Sequence, residues 1–162
     1  MSTFKCRQPL LTRGASRSEE WAAAEPAPVR VRQVVSETLA YLDVAVSDWE
    51  VRVADVTLNR KWWRDVDACA ICPHGTVLHI MVNPAMGQEA RKMGRLQHQI
   101  LVHEVLHYVF NPLEQTVERL LGSGRRSTTV SETAHDLLDL LAWKLVDHIF
   151  PDINPEEDIL EA

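Results

Sequence analysis

Apolar side chains cover nearly the whole circumference of one stretch near the middle of the chain, residues 96–110. Seven of them are large and lie on every side of a helix: Ile100, Leu101, Val102, Val105, Leu106, Val109 and Phe110. A helix with this pattern is buried. We predict that it runs from Gln88 to Phe110. Asn111 and Pro112 would end it, since asparagine caps helices well and proline suits the first position of a following helix.

The pattern of the preceding residues predicts one helix and three strands. Apolar residues recur at helical spacing over residues 29–44, whereas apolar and polar residues alternate over residues 49–56. Two further short apolar runs, at residues 67–72 and 76–83, are close enough in sequence to form a hairpin. A closing helix is predicted from Val130 to Phe150.

These elements predict an α+β fold. We expect a small, mainly antiparallel three-stranded sheet packed on the buried central helix, with an N-terminal helix and a closing C-terminal helix. Residues 29–150 would form this domain, between a flexible tail over residues 1–28 and an acidic tail over residues 151–162. Trp21 is the one residue of the first tail large enough to fill a pocket, so that tail could lie across a cleft.

Composition narrows the class of protein. The 162 residues carry a formal net charge of −6, which argues against general binding of nucleic acid. No apolar run approaches the roughly 20 residues of a membrane span, and the N-terminus lacks the apolar core of a signal peptide. We therefore expect a cytoplasmic protein without a membrane partner. Three cysteines, Cys6, Cys69 and Cys72, argue against a disulfide framework.

The central helix contains a His-Glu-x-x-His motif, formed by His103, Glu104 and His107. Residues four apart share one helix face, so the two histidines can offer imidazole nitrogens to one ion. Glu104 lies close enough to reach a water on that ion. Two histidines and a glutamate are costly inside an apolar helix unless something compensates them, and a metal is the simplest compensation. The pattern favours zinc over a core helix whose histidines are only hydrogen-bonded.

A catalytic zinc usually takes three protein ligands. Six residues after the motif are candidates for the third: Glu114, Glu118, Glu132, His135, Asp136 and Asp139. The closing helix holds the two main alternatives. Glu132 also fits a capping box with Thr129, whereas His135 lies nearer the apolar face of that helix.

The motif and the order of elements resemble the gluzincin metallopeptidases, above all their small ImmA/IrrE-type and phage-encoded members. Their closing helix carries a Glu-x-Ala pattern, to which Glu132-Thr133-Ala134 is similar. This resemblance implies a zincin-like fold with Zn²⁺ held by His103, His107 and Glu132. Residues 49–83 also look like the strand region of SprT-like proteases, whose third ligand is a histidine, and that likeness points to His135.

The expected function is a zinc-dependent peptidase acting on a peptide or protein substrate. Glu104 would be the catalytic base, taking a proton from water and passing it to the leaving amine. By resemblance, the strand over residues 76–83 would be the sheet edge on which an extended peptide pairs. The alternative is a non-catalytic, metal-stabilised domain that binds a partner protein or DNA.

Overall fold

The computed structural model describes residues 16–71, 76–86, 93–122 and 124–153, and it has the expected α+β architecture. The first half holds α1 (Arg17–Ala23), β1 (Glu25–Pro26), α2 (Val29–Tyr41), β2 (Asp48–Val53) and α3 (Arg60–Trp63). The second half holds β3 (Ala68–Ile71), β4 (Val77–Val82), α4 (Arg95–Leu121) and α5 (Arg125–Ile149). No helix among the described residues is long and apolar enough to cross a membrane.

The sheet differs from the predicted one in size and direction. It has four strands in the order β1-β2-β4-β3, and its central pair, β2 and β4, is parallel. The predicted hairpin of β3 and β4 is confirmed as an antiparallel pair, although its turn lies outside the described residues. Local pattern predicts the hairpin but not the pairing of β2 with β4, because that pairing joins residues distant in sequence. The predicted substrate edge at residues 76–83 is wrong, since β4 lies inside the sheet and β3 forms its edge.

The two faces of the sheet bury different elements. Alternate residues of β4 point to opposite faces, so Leu78 and Ile80 join one cluster and Met81 another. Helices α2 and α4 pack on the first face, with Val35 and Leu101 fully buried there. The second face is covered by α1 and by the residues around α3, including the buried Trp63.

Residues 16–28 belong to the folded unit, so the predicted flexible tail is too long in this part of the chain. Ser16 caps α1 with a complete capping box, and β1 pairs antiparallel with β2. Buried Glu20 accepts a hydrogen bond of 3.1 Å from Nε1 of Trp63 and pairs with Arg17. Trp21 stacks on the ring of His79, with ring centroids 4.3 Å apart, on the sheet face away from α4. Amino-acid composition does not indicate that this segment is folded, because its docking depends on a few specific contacts. Residues 1–15 and 154–162 lie outside the described residues.

The long helices α4 and α5 form an antiparallel pair. Arg95 contacts Asp147, and His103 contacts His135, so sequence positions run in opposite directions along the two helices. Val102 and Leu106 of α4 pack on buried residues of α5. The prediction that Asn111 and Pro112 end the helix is wrong, because α4 continues through Pro112 to Leu121. The capping role predicted for Thr129 is also wrong, since α5 begins at Arg125 and Thr129 lies inside it.

Candidate metal centre

Three histidines converge between α4 and α5. His103 and His107 stand one turn apart on α4, and the antiparallel packing brings His135 of α5 beside them. The Nε2 atom of His103 lies 3.0 Å from Nε2 of His107 and 3.2 Å from Nε2 of His135. His103 is fully buried, whereas the other two are partly accessible. These three residues lie close enough together to bind one metal ion.

The two separations from Nε2 of His103 fit a tetrahedral ion. Zinc–nitrogen bonds of about 2.0–2.1 Å put two tetrahedral ligand nitrogens roughly 3.3 Å apart. The two measured separations are close to this value and slightly shorter. His103 faces both other nitrogens through a single Nε2 atom, which carries at most one proton to share. A cation at the centre satisfies all three nitrogens together, so the donor set fits a metal such as zinc.

The electrostatics keep His103, the most buried of the three histidines, neutral. Burial, together with the neighbouring His107 and His135, lowers the pKa of His103 to about 2. Burial and His107 also lower the pKa of His135. Burial acts in the same direction on His107, but Glu114 and Glu104 outweigh it and raise the pKa of that imidazole. Neutral imidazole is the form that binds metals, so His103 and His135 are held in the ligand form.

Carboxylates stand behind two of the rings. Nδ1 of His103 lies 3.6 Å from Oδ1 of Asp139, and Nδ1 of His107 lies 3.5 Å from Oε1 of Glu114. In metal sites, a ligating histidine usually gives its second ring N–H to a carboxylate, carbonyl or water, which fixes the tautomer. The rings thus turn Nε2 towards the centre and Nδ1 towards an acidic group. Asp139 and Glu114, which the sequence offers as ligands, instead face the outer nitrogens.

Glu104 is fully buried and is held by the neighbouring edge strand. Its Oε2 atom accepts a hydrogen bond of 2.7 Å from the backbone N–H of Ala70 in β3. The same carboxylate is close enough to the cluster to raise the pKa of His107. The sequence does not indicate the role of Ala70, because the donor is a backbone N–H group, which every residue except proline has.

The structure brings His135, and not Glu132, beside the two histidines of the motif. Glu132 is exposed on α5 and is not one of the residues that gather at the centre, whereas His135 is. Glu132 and His135 are three residues apart on α5. Of the two, only His135 lies on the side of α5 that faces α4. In the sequence, the apolar face of α5 indicates His135, whereas the Glu-x-Ala pattern indicates Glu132. The side chain of Glu118 lies outside the described part of the chain.

Tyr108 has a structural contact. Its hydroxyl donates a hydrogen bond of 3.3 Å to the carbonyl oxygen of Ala45, and its ring belongs to the core between α2 and α4.

In comparisons with protein-family models, curated proteins and solved structures, nothing matches this chain.

Proposed function

We propose that this protein is a zinc-dependent peptidase whose metal is held by His103, His107 and His135. One observation carries the proposal: Nε2 of His103 lies 3.0 Å from Nε2 of His107 and 3.2 Å from Nε2 of His135, and the buried Glu104 follows His103 on α4. A buried carboxylate beside three histidines has the chemistry of a catalytic zinc site, which takes three protein ligands and leaves one position open.

The chain's own residues supply binding and proton transfer. A bound zinc would supply Lewis acidity to polarise a peptide carbonyl. Glu104 would accept a proton from the attacking water and deliver it to the leaving amine. The N–H of Ala70 holds one oxygen of Glu104, so the carboxylate has a defined orientation. Asp139 and Glu114 would keep the proton of two ligands on Nδ1.

A histidine as third ligand favours the SprT-like resemblance over the gluzincin one. We propose accordingly that Glu132 is not a ligand. We also move the proposed substrate edge from β4 to β3, because β3 is the outer strand and its Ala70 contacts Glu104. An extended peptide would pair with outward backbone groups of β3 other than the N–H of Ala70, and present its carbonyl near the three histidines.

The test combines metal content with hydrolysis. Purified protein is analysed for metals and then assayed on an unfolded, fluorescently labelled protein, with Glu104→Gln as the variant. We expect about one zinc per chain in both proteins and cleavage only by the wild type. Protein that neither holds nor takes up zinc overturns the proposal. Equal cleavage by the wild type and Glu104→Gln also overturns it, since it shows contaminating activity or a different base.

The contact of Glu104 with Ala70 favours a second candidate, a non-catalytic metal-stabilised domain. Here Glu104 would tie α4 to β3 and would take no part in chemistry. Zinc-loaded wild type that folds but cleaves no peptide bond in a broad substrate library supports this candidate.

A further inference from the structure

Glu114 lies on α4 beside the outer ring nitrogen of His107, the second ligand of the proposed metal site. Its Oε1 atom is 3.5 Å from Nδ1 of His107, and Nε2 of the same ring faces His103 at 3.0 Å. The side chains of His107 and Glu114 are 16% and 24% exposed, so both are largely removed from water. The His107 ring therefore bridges the carboxylate of Glu114 and the histidine cluster.

Helix geometry explains how Glu114 reaches His107. Seven residues make nearly two full turns, so both side chains leave the helix in almost the same direction, about 10.5 Å apart along its axis. Side chains lean towards the N-terminus of a helix, so Glu114 leans back over His107. In a straight helix a long gap would still remain between the two side chains.

Pro112 lies between His107 and Glu114 in α4, where a proline changes the helix geometry and so the distance between them. It cannot donate the hydrogen bond that a helical residue gives to the carbonyl four positions earlier, and its ring crowds that carbonyl. A helix therefore opens on the side of a proline and bends away from it. Pro112 lies about 140° around the helix from His107, so a bend at Pro112 would close the face that carries His107 and Glu114.

We propose that Glu114 is a positioning residue for His107, and that Pro112 within α4 brings the two together. The proposal rests on the metal site of the proposed function. Glu114 holds the ring proton on Nδ1, which leaves the lone pair of Nε2 directed at the metal. Asp139 of the neighbouring helix has the corresponding place beside His103, with its Oδ1 atom 3.6 Å from Nδ1 of that ring.

The test measures zinc affinity by competition with a chromophoric chelator, using the full chain. Glu114→Ala should weaken zinc binding roughly 10- to 100-fold, the range typical for loss of an outer-sphere partner. Glu132→Ala is the matched control, because it removes an exposed carboxylate from the neighbouring helix, and its affinity should stay within about twofold of wild type. Glu114→Gln should restore most of the affinity, since the amide oxygen still accepts from Nδ1. Pro112→Ala should weaken zinc binding without lowering the thermal midpoint of the zinc-free chain.

Nitrogen-15 NMR of the histidine rings gives a readout that a merely structural role does not move. In the zinc-loaded wild type we expect a slowly exchanging proton on Nδ1 of His107, and in Glu114→Ala a fast-exchanging one. Equal affinities of Glu114→Ala and Glu132→Ala overturn the inference and leave the proposed function intact. A wild type that binds no zinc overturns both. If Glu114→Ala does not fold, Glu114→Gln decides: a slowly exchanging Nδ1 proton supports the inference and a fast-exchanging one overturns it.

Discussion

The carboxylate of Glu104 and the backbone N–H of Ala70 are joined by a hydrogen bond of 2.7 Å, which ties α4 to the edge strand β3. The bond links residues 34 positions apart in sequence. It gives the glutamate of the His-Glu-x-x-His motif a structural role in addition to any catalytic one. We therefore expect two separable effects of substitutions at this position, one on folding stability and one on the proposed chemistry.

The first prediction isolates the effect of Glu104 on folding stability. Glu104→Ala should lower the free energy of unfolding by about 1–3 kcal/mol relative to Glu104→Gln, because it takes away the buried acceptor of the partly buried Ala70 N–H group. Glu104→Gln keeps an oxygen at the same position and should stay close to wild type. Urea unfolding of both zinc-free variants measures the difference. Equal unfolding midpoints would show that the bond to Ala70 does not stabilise the fold.

The second prediction concerns the third ligand. His135→Ala should weaken zinc binding by more than the roughly 10- to 100-fold expected for loss of an outer carboxylate, because two histidines alone make a weak site. Glu132→Ala should bind zinc almost as wild type does, since Glu132 is exposed and not among the converging residues. Competition with a chelator measures both constants. Loss of zinc in Glu132→Ala with retention in His135→Ala would contradict the His135 assignment.

The third prediction concerns zinc and thermal stability. A ligand that binds only the folded state at 100 times its dissociation constant adds about 2.7 kcal/mol. For a chain of this size, that corresponds to a rise in Tm of roughly 5–10 °C. Scanning calorimetry with zinc, with magnesium and with a chelator measures the effect. Magnesium should have none, because it prefers oxygen ligands. A Tm that is the same with zinc and with chelator would count against the metal site.

The fourth prediction concerns residues 16–28. Removing residues 1–28 should destabilise the domain, because it uncovers Trp63 and Met81 on one face of the sheet and deletes the partner of β2. A milder variant, Glu20→Ala, removes the acceptor of Trp63 Nε1 and should cost about 1–3 kcal/mol. Chemical denaturation of both, with Ser18→Ala at an exposed position of α1 as the control, checks this. A truncated chain as stable as the full one would restore the flexible-tail interpretation.

The sequence predicts the local elements well, because their signal lies in neighbouring residues. The spacing of Val31, Val34 and Val35 predicts α2, and the motif with its apolar flanks predicts the helix that carries the site. The end of that helix cannot be predicted in the same way. Pro112 is typical of a helix end, but α4 continues through it to Leu121.

The centre itself could be predicted only in part. His103 and His107 follow from spacing on a single helix, whereas the choice between Glu132 and His135 depends on how α5 is rotated against α4. Three residues of sequence separation amount to about 60° around that helix, which a pattern read from one chain resolves poorly. The docking of Trp21 and Glu20 depends on partners far along the chain, so composition gave no sign of it.

The two edges of the sheet restrict how strands from other molecules can add to it. On one side β1 has only two residues, and Pro26 has no N–H to offer a neighbour. On the other side β3 has four residues, and one of its outward N–H groups, that of Ala70, is already bonded to Glu104. Edge-to-edge polymerisation would therefore gain few main-chain bonds at either end, a common protection of natural sheets against aggregation. Glu104→Ala frees one of these donors, so we expect this variant to make the sheet more prone to self-association, whereas Glu104→Gln keeps an oxygen that can accept from Ala70.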